Sequence, residues 1–212
     1  VVFPDADLDK VIPLAARSIF MFAGQAWIGS SRFYVERPIF DEFVKRFSMV
    51  ASKIGMGDLR DPDTVIAPII SPRQRNRIKS RIEDAVKKGA KIELGGKVNG
   101  RFVDPTIITN ITSDMSLYQD ETFGPVVFVM PFKSDEEAVN IANDTEYGLS
   151  SGVITKDEYR GLEIAQKLET GMCHINCSSV NDEPHAPFGG SKSSGVGRHG
   201  GRWATETFTE TR

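Results

Sequence analysis

Residues 126–143 read VVFVMPFKSDEEAVNIAN, and this stretch decides the fold. Val126 to Met130 form an apolar, β-branched run of the kind that makes a strand covered on both faces. Ser134 and Glu137 stand at the spacing of a capping box, and Ala138 and Ile141 follow at helical spacing. A doubly covered strand that passes directly into a capped helix is a building unit of a parallel α/β sheet.

The same alternation extends in both directions. Upstream, Val1, Val2 and Phe3 read as the end of a strand that ought to begin earlier. Asp5 and Asp7 supply N-cap chemistry for a helix with Val11, Leu14, Ala15, Ile19 and Phe22 on one face, ending at Gly24. Ser31 to Glu36 predict a short strand. Pro38 then opens a helix with Ile39, Phe43, Phe47, Val50 and Ile54 on one stripe. Residues 55–72 contain three prolines and suit a long surface loop. The next helix runs from about Pro72 to Lys88, with Ile78, Ile82, Ala85 and Val86 inward and Gly89 as its stop. Short strands are expected at Lys91 to Leu94, around Phe102, and at Thr106 to Ile108. Downstream, Ser151 to Thr155 and Met172 to Asn176 predict strands flanking a helix capped by Asp157. The expected fold class is α/β, a single domain with a largely parallel sheet and helices on both faces.

Composition narrows the function classes. The 212 residues are 40% hydrophobic and 26% charged, ordinary for a globular domain. A formal charge of -3 with scattered lysines and arginines gives no bulk attraction for nucleic acid or anionic lipid, so neither is an expected partner. No apolar run approaches a membrane span and no leader pattern is present, which makes a reducing, cytoplasmic setting the default. Cys173 and Cys177 have one histidine between them and no second pair, so no metal site is expected.

Several local features have competing readings. Gly189 to Arg198 looks at first like a phosphate-cradling loop, but Lys192 lies between glycines and no apolar helical run follows, so a tight structural turn is the reading adopted. Composition alone makes Glu121 a solvated loop acid, although it precedes a buried strand where α/β folds place ligand contacts. His174 is read as a hydrogen-bonded interior histidine, His185 and His199 as loop surface. Cys177 lacks a neighbouring cation or helix N-terminus to form thiolate and is read as a packing thiol.

Six motifs in series, spread over the whole chain, resemble the aldehyde dehydrogenase superfamily. They are Pro4-Asp5-Ala6-Asp7-Leu8; Phe20 with Gly24-Gln25; Ala67-Pro68-Ile69-Ile70-Ser71; Glu121-Thr122-Phe123-Gly124-Pro125; Tyr147-Gly148-Leu149; and Pro187-Phe188-Gly189-Gly190 with Lys192, Ser194-Gly195 and Gly197-Arg198. His174-Ile175-Asn176, Asp182-Glu183 and residues 197–201 look most like the branch that acts on aromatic aldehydes such as salicylaldehyde, benzaldehyde or vanillin.

That resemblance implies a chemistry. In the family a cysteine thiolate adds to the aldehyde, hydride passes to NAD or NADP, and a glutamate activates the water that hydrolyses the thioester. The nucleophile falls two residues after the Gly-Gln pair, and that position here is Trp27. An indole has no lone pair for such an attack. Glu121 and Phe123 match positions that touch the nicotinamide ribose and ring, whereas Cys177 and Phe188 fall in the substrate-facing loop. The family's general base and cofactor-binding domain lie before the point where this chain starts, so residues 1–212 are expected to be a catalytic domain without its cofactor domain. NAD or NADP belongs to the intact enzyme, and none is expected on this chain alone. Two readings follow: a catalytic-domain fragment that is inactive as it stands, or a non-catalytic scaffold that pairs with itself or an intact subunit. Homo-oligomers are expected under either.

Overall fold

The computed structural model of the chain describes residues 1–210. Helix α1 (Leu8–Phe20) starts at Asp7, whose carboxylate accepts the Asp9 N–H at 3.1 Å. It ends where the chain tightens into a single 3₁₀ turn, Met21–Gly24, with Phe22 and Ala23 at φ 55° and 56°. That kink rotates Phe22 off the buried stripe expected for it and leaves it 66% exposed. Strand β1 (Arg32–Glu36) leads directly into α2 (Arg37–Ala51). Phe43 and Phe47 pack against Phe33 of β1, with ring centroids 5.9 and 5.5 Å away. The buried face of α2 also takes in Phe40, Val44 and Ala51 and leaves Val50 at the boundary, so it lies round from the expected stripe. Packing against the sheet and α1 selects that face over the one periodicity favours.

The proline-bearing segment that follows is a loop, as expected, and α3 (Pro72–Lys87) begins at Ser71, whose hydroxyl accepts the Gln74 N–H at 3.2 Å. Ile78, Ile82 and Ala85 are buried as expected; Val86 is not, and Arg81 is. After Gly89, at φ 100°, come β2 (Lys91–Leu94), β3 (Val98–Asn99), β4 (Phe102–Val103), β5 (Thr106–Thr109) and the single turn α4 (Ser116–Gln119). Then follow β6 (Val126–Phe132), α5 (Asp135–Asn143), β7 (Tyr147–Gly148), β8 (Ser150–Val153), α6 (Glu158–Lys167) and β9 (Met172–Ile175). The chain finishes with β10 (Ser191–Lys192) and α7 (Gly201–Phe208). Among the described residues no helix is long and apolar enough to cross a membrane.

The main sheet has strand order β1-β6-β5-β2. β6 runs parallel to both β1 and β5, and β2 is antiparallel at the edge. β8 and β9 form a second parallel pair. Val2 joins the two, bridging in parallel to Val35 on one side and Ile154 on the other, so the strand expected at Val1 to Phe3 sits at the centre. One face of the main sheet carries Phe33 under α2; the other carries Phe128, stacked on Tyr118 of α4 at 6.0 Å. The largely parallel, two-faced α/β arrangement is therefore present.

A further local expectation differs from the structure. Ser134 caps α5 as predicted, accepting the Glu137 N–H at 3.2 Å, but the Glu137 carboxylate reaches Lys133 N–H at 2.8 Å, one residue before the cap. The alternating threonines near the C-terminus enter a helix. Thr205 and Thr207 lie in α7, the Thr207 and Thr209 hydroxyls donate to the Trp203 and Thr205 carbonyls at 2.8 and 2.7 Å, and Thr211 lies outside the described residues. Each such bond spans four residues and satisfies helix carbonyls, which a polar alternation permits as readily as a strand.

Asp5, contrary to expectation, does not cap α1, whose cap is Asp7. The Asp5 Oδ2 accepts from the Thr155 hydroxyl at 2.8 Å and from the Lys156 and Asp157 N–H groups at 2.7 and 3.2 Å, tying the first residues to the start of α6. Burial by itself would raise the Asp5 pKa, but these hydrogen bonds outweigh it and hold the carboxyl below its ordinary 3.8. A carboxyl depressed on folding stabilises the fold above its unfolded pKa, and that contribution disappears as pH falls through the folded value. Asp5→Ala is expected to lower stability by about 1–3 kcal/mol at pH 7, and by progressively less below pH 3.8. Urea unfolding at neutral and acid pH checks it; an equal loss at both would contradict the linkage.

Candidate functional site

The turn that ends α1 delivers the Gly24-Gln25 pair to a cleft. Gly24 has φ +66°, and a Cβ built there would lie 2.1 Å from the Gly124 carbonyl oxygen, so the turn rests directly on the backbone of residues 121–125. Only glycine meets both conditions. Gln25 fixes the rim: its Oε1 accepts the Ile70 N–H at 3.0 Å and its Nε2 donates to the Phe22 carbonyl at 3.4 Å. Trp27 follows in a tight turn closed by Gly29 N–H to Ala26 O at 3.0 Å.

Trp27, Glu121, Phe123 and Cys177 all line one cavity of ≈ 380 Å³. Position 27 therefore lies at the cleft. The indole is 68% exposed and has Phe188 as its aromatic neighbour, 6.2 Å between centroids, so it edges the cavity without plugging it. Phe188 is itself buried, its ring centroid 4.8 Å from that of His199 at a 35° tilt, and is paired with His199 through two backbone hydrogen bonds of 2.8 Å. Glu121 is exposed at the cleft, the solvated loop acid and the cavity-lining acid at once. Phe123 adopts φ 51°, uncommon for a residue with a β-carbon.

Cys177 corrects one expectation. It is half-buried at the cavity, with the Asn181 side-chain amide directed at its Sγ, and is not packed into the core. Cys173 is the thiol set against the core; burial raises its pKa, a Ser151 hydrogen bond opposes the shift, and the thiol form prevails. The neighbouring hydroxyls are committed. Ser179 donates to the Ile28 carbonyl at 2.7 Å and accepts from Ser30 at 2.7 Å, so Ser30 lacks a base to activate it. His174 also differs: its Nε2 is buried with no hydrogen-bond partner among the described residues, and burial lowers its pKa against the opposing pull of Asp182.

The glycine-rich stretch is the structural turn that its sequence suggests. β10 pairs antiparallel with β7, and Lys192 donates to the Asn143 and Thr145 carbonyls at 2.8 and 3.1 Å while pairing with Glu169. With its ammonium so engaged, Lys192 is not available to bind phosphate. Contrary to expectation a helix does follow, α7, but it buries none of its residues. Sequence reasoning missed Gln74, whose side chain donates to the Thr122 and Phe123 carbonyls at 2.7 and 2.9 Å and so steadies the loop from α3. The available signal was a polar residue one turn before buried Ile78 on the same helical face.

Comparison with known proteins gives consistent results. Residues 1–212 match the Aldehyde dehydrogenase family. Benzaldehyde dehydrogenase YfmT of Bacillus subtilis (strain 168) is 41% identical over 210 residues, covering 99% of this chain and 43% of that protein. A salicylaldehyde dehydrogenase from Pseudomonas putida G7, solved with salicylaldehyde, superposes with a TM-score of 0.96 at 40% identity, covering 100% of this chain and 44% of that one. A point mutant of betaine aldehyde dehydrogenase from Staphylococcus aureus, solved in complex with NAD+, superposes with a TM-score of 0.95 at 36% identity, again over 100% of this chain and 44% of the other. The chain thus spans less than half the length of these relatives. With motif order, cleft geometry and sheet all in agreement along its length, the chain belongs to the aldehyde dehydrogenase family.

Proposed function

We propose that residues 1–212 are the catalytic domain of an NAD(P)-dependent enzyme oxidising an aromatic aldehyde to its carboxylic acid, inactive as the chain stands because Trp27 occupies the nucleophile's position. The observation that carries this reading is that Trp27 lines the same cavity as Glu121 and Phe123. An aldehyde in that cavity would meet an indole where a thiolate has to add, and the covalent route is closed. Losing a nucleophile typically costs on the order of 10⁵–10⁶ in turnover.

The residues present fit one end of a nicotinamide cofactor. Glu121 supplies a carboxylate able to accept from a ribose hydroxyl, Phe123 supplies a ring face, and the backbone packing of Gly24 on Gly124 brings the Gln25–Trp27 turn and the loop to one cleft. The cofactor, when bound, supplies the hydride acceptor. Adenosine and pyrophosphate would need a cofactor-binding domain from outside residues 1–212. The aromatic preference rests on the benzaldehyde and salicylaldehyde relatives and on the Trp27 ring at the cavity, behind which Phe188 is buried outside the lining.

A second reading, a scaffold that pairs with itself or an intact subunit, draws on Phe22, Trp27 and Ile70, which are 66%, 68% and 73% exposed around Gln25. Sedimentation of the chain with an intact relative tests it, and the absence of any mixed species would remove it.

Two outcomes are expected under the first reading. Joined to a cofactor-binding domain, Trp27→Cys should reduce NAD with benzaldehyde while the Trp27 form does not; failure across aromatic and aliphatic aldehydes overturns the reading. Calorimetric titration of the chain alone with NAD should give no binding heat in the micromolar range, and a micromolar site would show that the cofactor reading is too narrow.

A further inference from the structure

Helix α3 turns one face towards the loop of residues 120–125, and three residues on that face meet the loop. Gln74 holds the carbonyls of Thr122 and Phe123 at 2.7 and 2.9 Å. One turn on, Ile78 packs so closely beneath Gly124 that a Cβ there would stand 2.4 Å from Ile78 Cδ1. Arg81 comes next, 5% exposed, its Nη1 donating to the Glu121 carbonyl and its Nη2 3.0 Å from Asp120 Oδ2.

A guanidinium in such a place is costly to bury unless its donors are used. Burial and the neighbouring Arg77 lower its pKa and Asp120 offsets part of that, and arginine stays charged throughout. Its fork grips consecutive residues, the side chain of Asp120 and the backbone of Glu121. Just beyond, Phe123 turns into the left-handed region at φ 51°, a conformation that persists only where the surroundings over-determine it.

We infer that Arg81 is a positioning residue, whose fork holds residues 120–123 in the kinked form that sets Glu121 and Phe123 along the cavity. The inference rests on the proposed role of those two residues at the nicotinamide end of a cofactor. Neither composition nor the motifs point to it: Arg81 sits on a buried helical stripe, where an apolar residue would ordinarily serve.

The test uses the chain itself, by ¹⁵N relaxation of Arg81→Met. Order parameters of Glu121, Thr122 and Phe123 are expected to fall from the rigid range near ~0.85 to below ~0.6, and the coupling that reports the Phe123 φ to lose its left-handed value. Those of β8 and β9 should stay unchanged, which a general loss of stability would not allow. A loop that remains rigid and left-handed overturns the inference. If Arg81→Met does not fold, Arg81→Lys keeps the charge beside Asp120 without the planar fork; loosening confined to the loop supports the inference and none overturns it. Nicotinamide mononucleotide at millimolar concentration separates the two claims. Shifts at Glu121 and Phe123 in the parent that vanish in the variant support both. Shifts that persist unchanged in the variant overturn the positioning role, and a parent without shifts, as a chain lacking its cofactor-binding domain allows, leaves that role to be decided by the relaxation data.

Discussion

The cleft depends on a place where two stretches of backbone touch with nothing between them. At Gly24 the turn ending α1 lies against the Gly124–Pro125 peptide so closely that any side chain would overlap a carbonyl oxygen. That contact couples the position of residue 27 to the position of residues 121–123. Helix α3 supports the loop from below through Gln74 and Ile78, and Gln25 ties the turn to Ile70. The two walls of the cavity therefore meet in direct backbone contact.

Much of this was legible in sequence because the signals were local. Val126 to Met130 followed by the Ser134 cap reads as strand and helix without reference to anything distant, and Asp157 caps its helix as the sequence suggests. What escaped was decided by tertiary contact. Phe22 has the right spacing for a buried face, yet two left-handed residues turn it outward. Arg81 has the wrong chemistry for a buried face, yet it is buried because the loop backbone and Asp120 satisfy it. Cys177 carries no local cation and reads as core, but it lines the cavity because its strand ends just before it. At the site, it was the family resemblance, not spacing, that implied a common cleft for Trp27, Glu121 and Phe123, and all three line one cavity.

Trp27 also illustrates how separate the scaffold is from the reagent. The indole sits on an outward turn, mostly in solvent, and the neighbouring Ser30 and Ser179 hydroxyls keep their bonds to the backbone and to each other. A change of residue type here asks nothing of the core, whatever the chemistry of the side chain.

The clamp at Asp5 has a bearing on how the chain reaches this state. Its partner Thr155 is 150 positions away in sequence, and Val2 has no neighbours on its second side until Ile154 exists. On a ribosome elongating at roughly 5–20 residues per second, that wait is about 8–30 s. The segment at Val2 is thus enclosed only after residues far downstream of it have been made. Such long-range closure slows folding, and through that interval Val2 and Phe3 offer an open β-edge to any other nascent chain nearby.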